Sequence, residues 1–247
     1  MKPSLWRGKT VRRMHVMVMP MGPVCILGCS YCYYLAKQVI LTTENHWRMS
    51  DEVLEAFIRQ YFQGQNYKEV VFSWQGGEPT LLGVDFFRKV VELQKRYCPP
   101  HVRCENDLQT NGTLLDEAWC EFLGEHRFLV GLSLDGPKEL HDHYRKDKAG
   151  QGSFDRVFRA ARLLRKHRVE FATLSCVNLL TAKYPLQVYR FLRDEVGAKR
   201  LQFIPIVEPV GFWYTPPQYW KKQLLPVDGS PQARPGHPDS MVEDWCV

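Results

Sequence analysis

Three thiols fall within eight residues of one another, Cys25, Cys29 and Cys32 in the stretch CILGCSYC. Soft thiolates are the donors that iron–sulfur clusters and zinc favour, and either centre needs its ligands to converge. Three thiols are one fewer than a closed four-ligand site requires. A four-iron cluster held by this trio would keep one iron open to a substrate or cofactor. A structural zinc would need a fourth donor, and His15 or His46 could supply it. The stretch alone leaves both readings open.

A loop of this kind has to be carried by something stiff. Residues 11–19 (VRRMHVMVM) are rich in Val and Met and stop at Pro20, as expected of a buried strand leading into the cysteine loop. Ser50 ahead of Asp51 and Glu52 reads as a capped helix start, and apolar residues from Val53 to Phe62 keep helical spacing up to Gly64. Residues 69–74 (EVVFSW) form a second strand that runs into Gly76-Gly77-Glu78-Pro79. Phe86 to Tyr97 make an amphipathic helix, and residues 102–109 a third strand ending at Thr110-Asn111-Gly112. Asp116 caps a further helix. Residues 128–134 (FLVGLSL) are a fourth strand closing at Asp135-Gly136-Pro137.

A loop follows to Gly152, in which His141 and His143 are expected to be solvated. Ser153 opens the next helix, and residues 171–177, 188–192 and 201–207 supply strand, helix and strand. Six strands alternating with five helices imply an α/β fold with a parallel sheet and right-handed crossovers. Strands buried on both faces should be nearly continuous in Val, Leu and Phe. The chemically unusual residues all fall at strand carboxyl ends, the face on which parallel barrels and sheets build their sites.

The periodicity stops after Glu208. Residues 209–247 hold seven of the 16 prolines and read as a linker or excursion, so residues 1–208 are taken as the core domain. The formal charge of +6 comes from 33 basic and 27 acidic residues that are interspersed, which gives no dense basic run for a nucleic acid. No stretch is long enough to span a membrane. The basic N-terminus is interrupted by Pro20, Gly22 and Pro23 before a secretory signal could be completed. Of eight cysteines, four outside the triad sit in apolar patterns, which fits reduced thiols and a cytoplasmic compartment.

With these residues in place, the chain resembles the radical S-adenosylmethionine superfamily, whose signature is C-x3-C-x2-C with an aromatic residue before the last cysteine. Cys25, Cys29, Tyr31 and Cys32 match it. The stretches WQGGEPTLLG from Trp74, LQTNGTLL from Leu108, GLSLDGPKELHDHYR from Gly131 and QFIPIVE from Gln202 resemble the anaerobic sulfatase-maturating enzymes. The resemblance implies a partial (β/α)6 TIM-like barrel in which Cys25, Cys29 and Cys32 hold a [4Fe–4S] cluster and the fourth iron takes S-adenosylmethionine. It implies that a 5′-deoxyadenosyl radical removes a hydrogen from a cysteine or serine of a sulfatase, leading to formylglycine.

On the same resemblance Tyr31, Gly76, Gly77, Glu78, Ser133, Arg145 and Val207 face the cofactor. Glu78 would accept from its ammonium group and Arg145 would pair its carboxylate. Tyr34, Gln75 and Asn111 would line the peptide cavity, and a flavodoxin or ferredoxin would deliver electrons. The family carries a C-terminal extension with two auxiliary clusters and the aspartate proposed as base, whereas here Cys246 is the one cysteine after residue 208. A truncated chain that binds the first cluster without converting a sulfatase peptide is therefore expected. The competing readings are a peptide-crosslinking radical enzyme of the same clan, a non-catalytic metal-binding domain, and a nucleic-acid modifying enzyme with salt-dependent RNA binding.

Overall fold

Strands of three to eight residues, joined through amphipathic helices, build one parallel sheet in the computed structural model, which describes residues 14–32, 34 and 48–206. The strands are β1 (Val16–Val18), β2 (Glu69–Trp74), β3 (Arg103–Thr110), β4 (Leu129–Ser133), β5 (Phe171–Val177) and β6 (Arg200–Pro205). The helices are α1 (Asp51–Gly64), α2 (Val84–Tyr97), α3 (Glu117–Glu125), α4 (Lys138–Tyr144), α5 (Phe154–Lys166) and α6 (Pro185–Arg190). All neighbours pair in parallel and the spatial order is β1-β2-β3-β4-β5-β6. An order that never reverses puts each right-handed crossover on the same side, which is a partial barrel rather than a doubly wound sheet.

The helix side is the core. Phe72, Trp74, Leu108, Val130 and Leu132 alternate toward it and are fully buried, with Trp74 set edge-on to Phe87 of α2 at 5.7 Å. Burying each such side chain contributes about 1.5–3 kcal/mol. The concave side differs from the expectation of strands apolar on both faces. In register across it lie Met17, Ser73 and Asp107, then Gln109 beside Gly131 and Leu174 beside Gln202. Among the described residues no second layer packs against this face, and β3 carries ENDLQT with Asp107 and Gln109 only half-buried. One polar chain crosses it: His15 Nε2 meets Ser73 Oγ at 2.6 Å, and Ser73 Oγ donates to Asp107 Oδ2 at 2.6 Å.

Side-chain caps start two of the helices, α1 and α3. Ser50 Oγ accepts from Val53 N at 3.3 Å, and Asp116 Oδ1 accepts from Trp119 N at 2.9 Å. Ser153 stands at the start of α5, but its hydroxyl donates to Arg145 O, and Asp142 Oδ1 takes the Phe154 N–H instead. The segment expected as a loop to Gly152 contains α4. Its His141 is fully buried, which corrects the reading as a solvated loop histidine, while His143 is exposed. The last helix begins at Pro185, earlier than the apolar spacing indicated, and passes into a π turn at Phe191–Glu195. Residues 209–247, expected as a linker, and Val207 lie outside the described residues.

His141 is enclosed, with both ring nitrogens engaged. Its Nδ1 accepts from Asp135 N at 3.4 Å, and its Nε2 faces Ser153 Oγ at 3.0 Å, whose own proton goes to Arg145 O at 2.7 Å. Burial holds the imidazole down to about 3 against an ordinary 6.5, with the Asp135 charge opposing and the Arg145 charge assisting. Between these values the unfolded chain binds a proton that the folded one refuses, so this part of the stability is present above 6.5 and is lost as pH falls. The wild type should therefore lose about 2 kcal/mol more than His141→Gln between pH 7 and pH 5 in urea denaturation. Equal losses would contradict the buried neutral imidazole.

Candidate cofactor site at the strand carboxyl ends

The cysteine loop leaves β1 and is seated on the turn after β2. Gly77 N donates to Gly22 O at 2.8 Å and Glu78 N donates to Val24 O at 2.8 Å. A side chain at Gly77 would place its Cβ 2.0 Å from Val24 O, and Gly76, at φ +116°, would place one 2.8 Å from Gly22 O. The two glycines thus let the backbone leading to Cys25 lie directly on the turn. On its other side the loop is bonded to the exit of α4, through Gly28 N to Lys146 O at 2.8 Å and Ser30 N to Tyr144 O at 3.2 Å. Leu27 is buried there with Tyr31, Tyr144 and Ile206.

Glu78 is fully buried and already well supplied with donors. Its Oε1 accepts from Thr80 N, Thr80 Oγ1 and Thr110 Oγ1 at 3.0, 2.6 and 2.7 Å, and its Oε2 from Asn111 N at 2.7 Å. Burial pushes its carboxyl up, and these donors pull the other way. What remains for a ligand is one lone pair on Oε2, so the residue's first role is to tie the β2 turn to the end of β3. Asn111 extends the tie. Its Nδ2 donates to Cys25 Sγ at 3.5 Å, while its Oδ1 accepts from Thr113 N and Oγ1.

The fourth strand contributes a residue that the motif reading passed over. Asp135 is fully buried, and Arg145 Nε and Nη2 reach its two oxygens at 2.9 and 3.2 Å. Cys176 N donates to Oδ1 at 2.9 Å, and the Tyr31 hydroxyl donates to Oδ2. Burial alone would raise this carboxyl, but the Arg145 charge and its hydrogen bonds outweigh burial and hold it below the usual range. Arg145, expected to pair a ligand carboxylate, is buried in an ion pair within the chain, with its guanidinium 5.4 Å from the Tyr31 ring centroid. The signal for Asp135 was an acidic residue directly behind a buried strand. Ser133, at the end of β4, is buried two residues before it.

The thiols form one electrostatic group. Burial pushes Cys29 up to about 12, with Arg145 lowering it and Cys32, Asp135 and Cys25 raising it further. Burial also raises Cys25, helped by Glu78 and Cys32 and opposed by Leu27 N and Asn111. Three soft donors that repel one another as thiolates fit a shared cationic cluster, each binding its own iron. Among the described residues no three His, Cys, Asp or Glu side chains are set to hold a single metal ion. His15, one candidate fourth zinc ligand, precedes β1 at the far end of the strand and is bonded to Ser73; His46 lies outside the described residues. Tyr34 and Gln75 are half-buried next to the loop and the β2 turn.

Residues 19–192 match the Radical SAM superfamily, and the chain belongs to it. The cofactors of the superfamily are a [4Fe–4S] cluster and S-adenosylmethionine, and the thiol trio on the loop after β1 has the donors for such a cluster.

Within the superfamily it is a homologue of the anaerobic sulfatase-maturating enzymes. It is 46% identical over 197 residues to the serine-type enzyme of Bacteroides thetaiotaomicron, covering 80% of this chain and 47% of that protein. To the cysteine-type enzyme of Clostridium perfringens it is 42% identical over 195 residues, covering 79% and 52%. The solved native anSMEcpe with bound AdoMet and Cp18Cys peptide superposes with a TM-score of 0.72 at 41% identity, over 80% of this chain and 52% of that one. Streptococcus suis SuiB bound to precursor peptide SuiA shares the fold, at 17% identity and a TM-score of 0.58. The chain spans about half the length of the curated relatives it matches. Among the described residues no helix is long and apolar enough to cross a membrane.

The glycine seat can be checked by contrast. Gly77→Ala must displace the loop backbone, and is expected to cost about 1–3 kcal/mol and most of the iron taken up in anaerobic reconstitution. Gly83→Ala, at a positive φ of +79° but facing open space, should cost about 1–2 kcal/mol and keep its iron. Equal iron contents in the two variants would show that the loop does not depend on this contact.

Proposed function

We propose that this chain is the radical-generating barrel of an anaerobic sulfatase-maturating enzyme, acting in the cytoplasm on a cysteine or serine of a sulfatase polypeptide. The observation that carries the reading is the convergence of the cysteine loop, the Gly76–Glu78 turn, Asn111 and the Asp135–Arg145 pair on one rim, in a chain 40–46% identical to such enzymes. In this reading Cys25, Cys29 and Cys32 hold the cluster, with Asn111 donating to Cys25 to moderate its charge. The Gly76-Gly77 backbone, Ser133, Tyr31 and the Nη1 edge of Arg145 orient S-adenosylmethionine, and Glu78 acts mainly by fixing Thr80, Thr110 and Asn111.

When bound, the cluster and S-adenosylmethionine supply reductive cleavage of a carbon–sulfur bond and hence hydrogen-atom abstraction. The polar concave face, with Ser73, Asp107, Gln109 and Gln202, is the lumen that admits the peptide, and Tyr34 and Gln75 stand at its cofactor end. Electrons arrive from a flavodoxin or ferredoxin.

The chain purified without oxygen and given S-adenosylmethionine and dithionite should release 5′-deoxyadenosine, and Cys29→Ala should release none above background. A wild type no better than the variant sinks the reading. Adding sulfatase peptides with Cys or Ser at the modified position, beside a crosslinking precursor, reads the substrate class. Hydrazide capture of an aldehyde on the sulfatase peptide supports maturation, and a crosslink on the precursor with no aldehyde anywhere assigns the chain to peptide crosslinking instead.

A further inference from the structure

Asp135 touches neither thiol nor solvent, yet three separate parts of the rim end on it. Tyr31 comes from the cysteine loop between Cys29 and Cys32, Arg145 from the turn after α4, and Cys176 N from β5. An arginine carries five N–H groups. Here Nε and Nη2 are taken by the carboxylate, and the further contact of Nη2 to Cys176 Sγ is long, at 3.9 Å. Nη1 bonds to no other described residue, so it is the edge of the guanidinium left for a ligand. The plane of that edge is fixed twice, by the two-point grip of Asp135 and by the Tyr31 ring beneath it. A lysine would present a point charge without such a plane.

We propose that Asp135 is a positioning residue of the cofactor site: it holds Arg145 and Tyr31 in one unit, so that the free edge of the guanidinium is oriented toward the S-adenosylmethionine carboxylate before the cofactor arrives. The inference rests on the reading of the site given above and adds a residue to which that reading assigns no task. Asp135 acts through its neighbours and does not touch the reacting atoms. Outer partners that orient an inner contact are worth about 10–100-fold in affinity when removed. Because the carboxylate works through Arg145, the two residues form one unit, and removing either should have much the same effect as removing both.

The test uses the anaerobically reconstituted chain and four variants, Asp135→Asn, Arg145→Gln, the double variant, and Arg145→Lys. Iron content and thermal melting report the fold and the cluster. Equilibrium dialysis of S-adenosylmethionine, together with the change it causes in the electron paramagnetic resonance of the reduced cluster, reports the cofactor contact. Asp135→Asn should keep its iron, bind S-adenosylmethionine about 10–100-fold more weakly per cluster and lose most of the spectral change, and the double variant should be no weaker than the worse single. Affinity of Asp135→Asn within twofold of wild type, or single effects that multiply in the double, overturns the proposal. Should Asp135→Asn fail to fold, Arg145→Lys decides, since it keeps both charges and removes only the fork: a loss of about tenfold or more supports orientation by Asp135, and affinity within twofold overturns it. A wild type that loads iron but does not bind S-adenosylmethionine removes the functional reading itself, and the inference with it.

Discussion

A carboxylate with no access to water must have its lone pairs answered, and around Asp135 the answer decides where three chain segments meet. The ion pair with Arg145 sits deep enough that losing one partner would leave a bare charge in a medium that cannot solvate it, at a cost of about 3–5 kcal/mol. The Tyr31 hydroxyl and Cys176 N complete the shell. Because Tyr31 lies inside the cysteine loop, the same requirement fixes the height of that loop above the sheet. A neutral His141 closes the group from below, accepting the Asp135 N–H while adding no second positive charge beside Arg145.

The loop is therefore gripped from two directions that share no residues. One is electrostatic and reaches it from β4. The other is steric: Gly76 and Gly77 present bare backbone on which the carbonyls of Gly22 and Val24 rest. Glu78 joins the second grip to β3, and through Asn111 returns to the first thiol. Soft ligands that repel one another when ionised need such a frame if they are to stay together without a metal.

The succession of strands and helices along the chain, and the gathering of unusual residues at strand carboxyl ends, were legible in the sequence because they follow from local rules, namely apolar runs, caps such as Ser50 and Asp116, and glycines behind strands. The cysteine triad was legible because its spacing is chemical. Other features depend on contacts between residues far apart in the chain. Gly77 reads as a turn or as an approach to a ligand until Val24, 53 positions earlier, is seen against it. His141 looks solvated beside Asp142 and His143, and only the return of Ser153 and Asp135 shows that it is enclosed. Arg145 reads as an open cation because its acid lies ten residues away across α4. The polar lumen was missed for a different reason: the expectation of doubly buried strands presumes both faces of the sheet covered, and among the described residues six strands leave the concave face open.

That open side has a further consequence. Along β2 and β3, neighbouring residues serve different masters: Phe72, Trp74, Asn106 and Leu108 hold the helices, while Ser73, Asp107 and Gln109 do not. Chemistry on the inner wall can drift without loosening the fold. A lineage built on this frame is free to exchange the molecule it admits by changing every second residue of a few strands, leaving the machinery at the rim as it was.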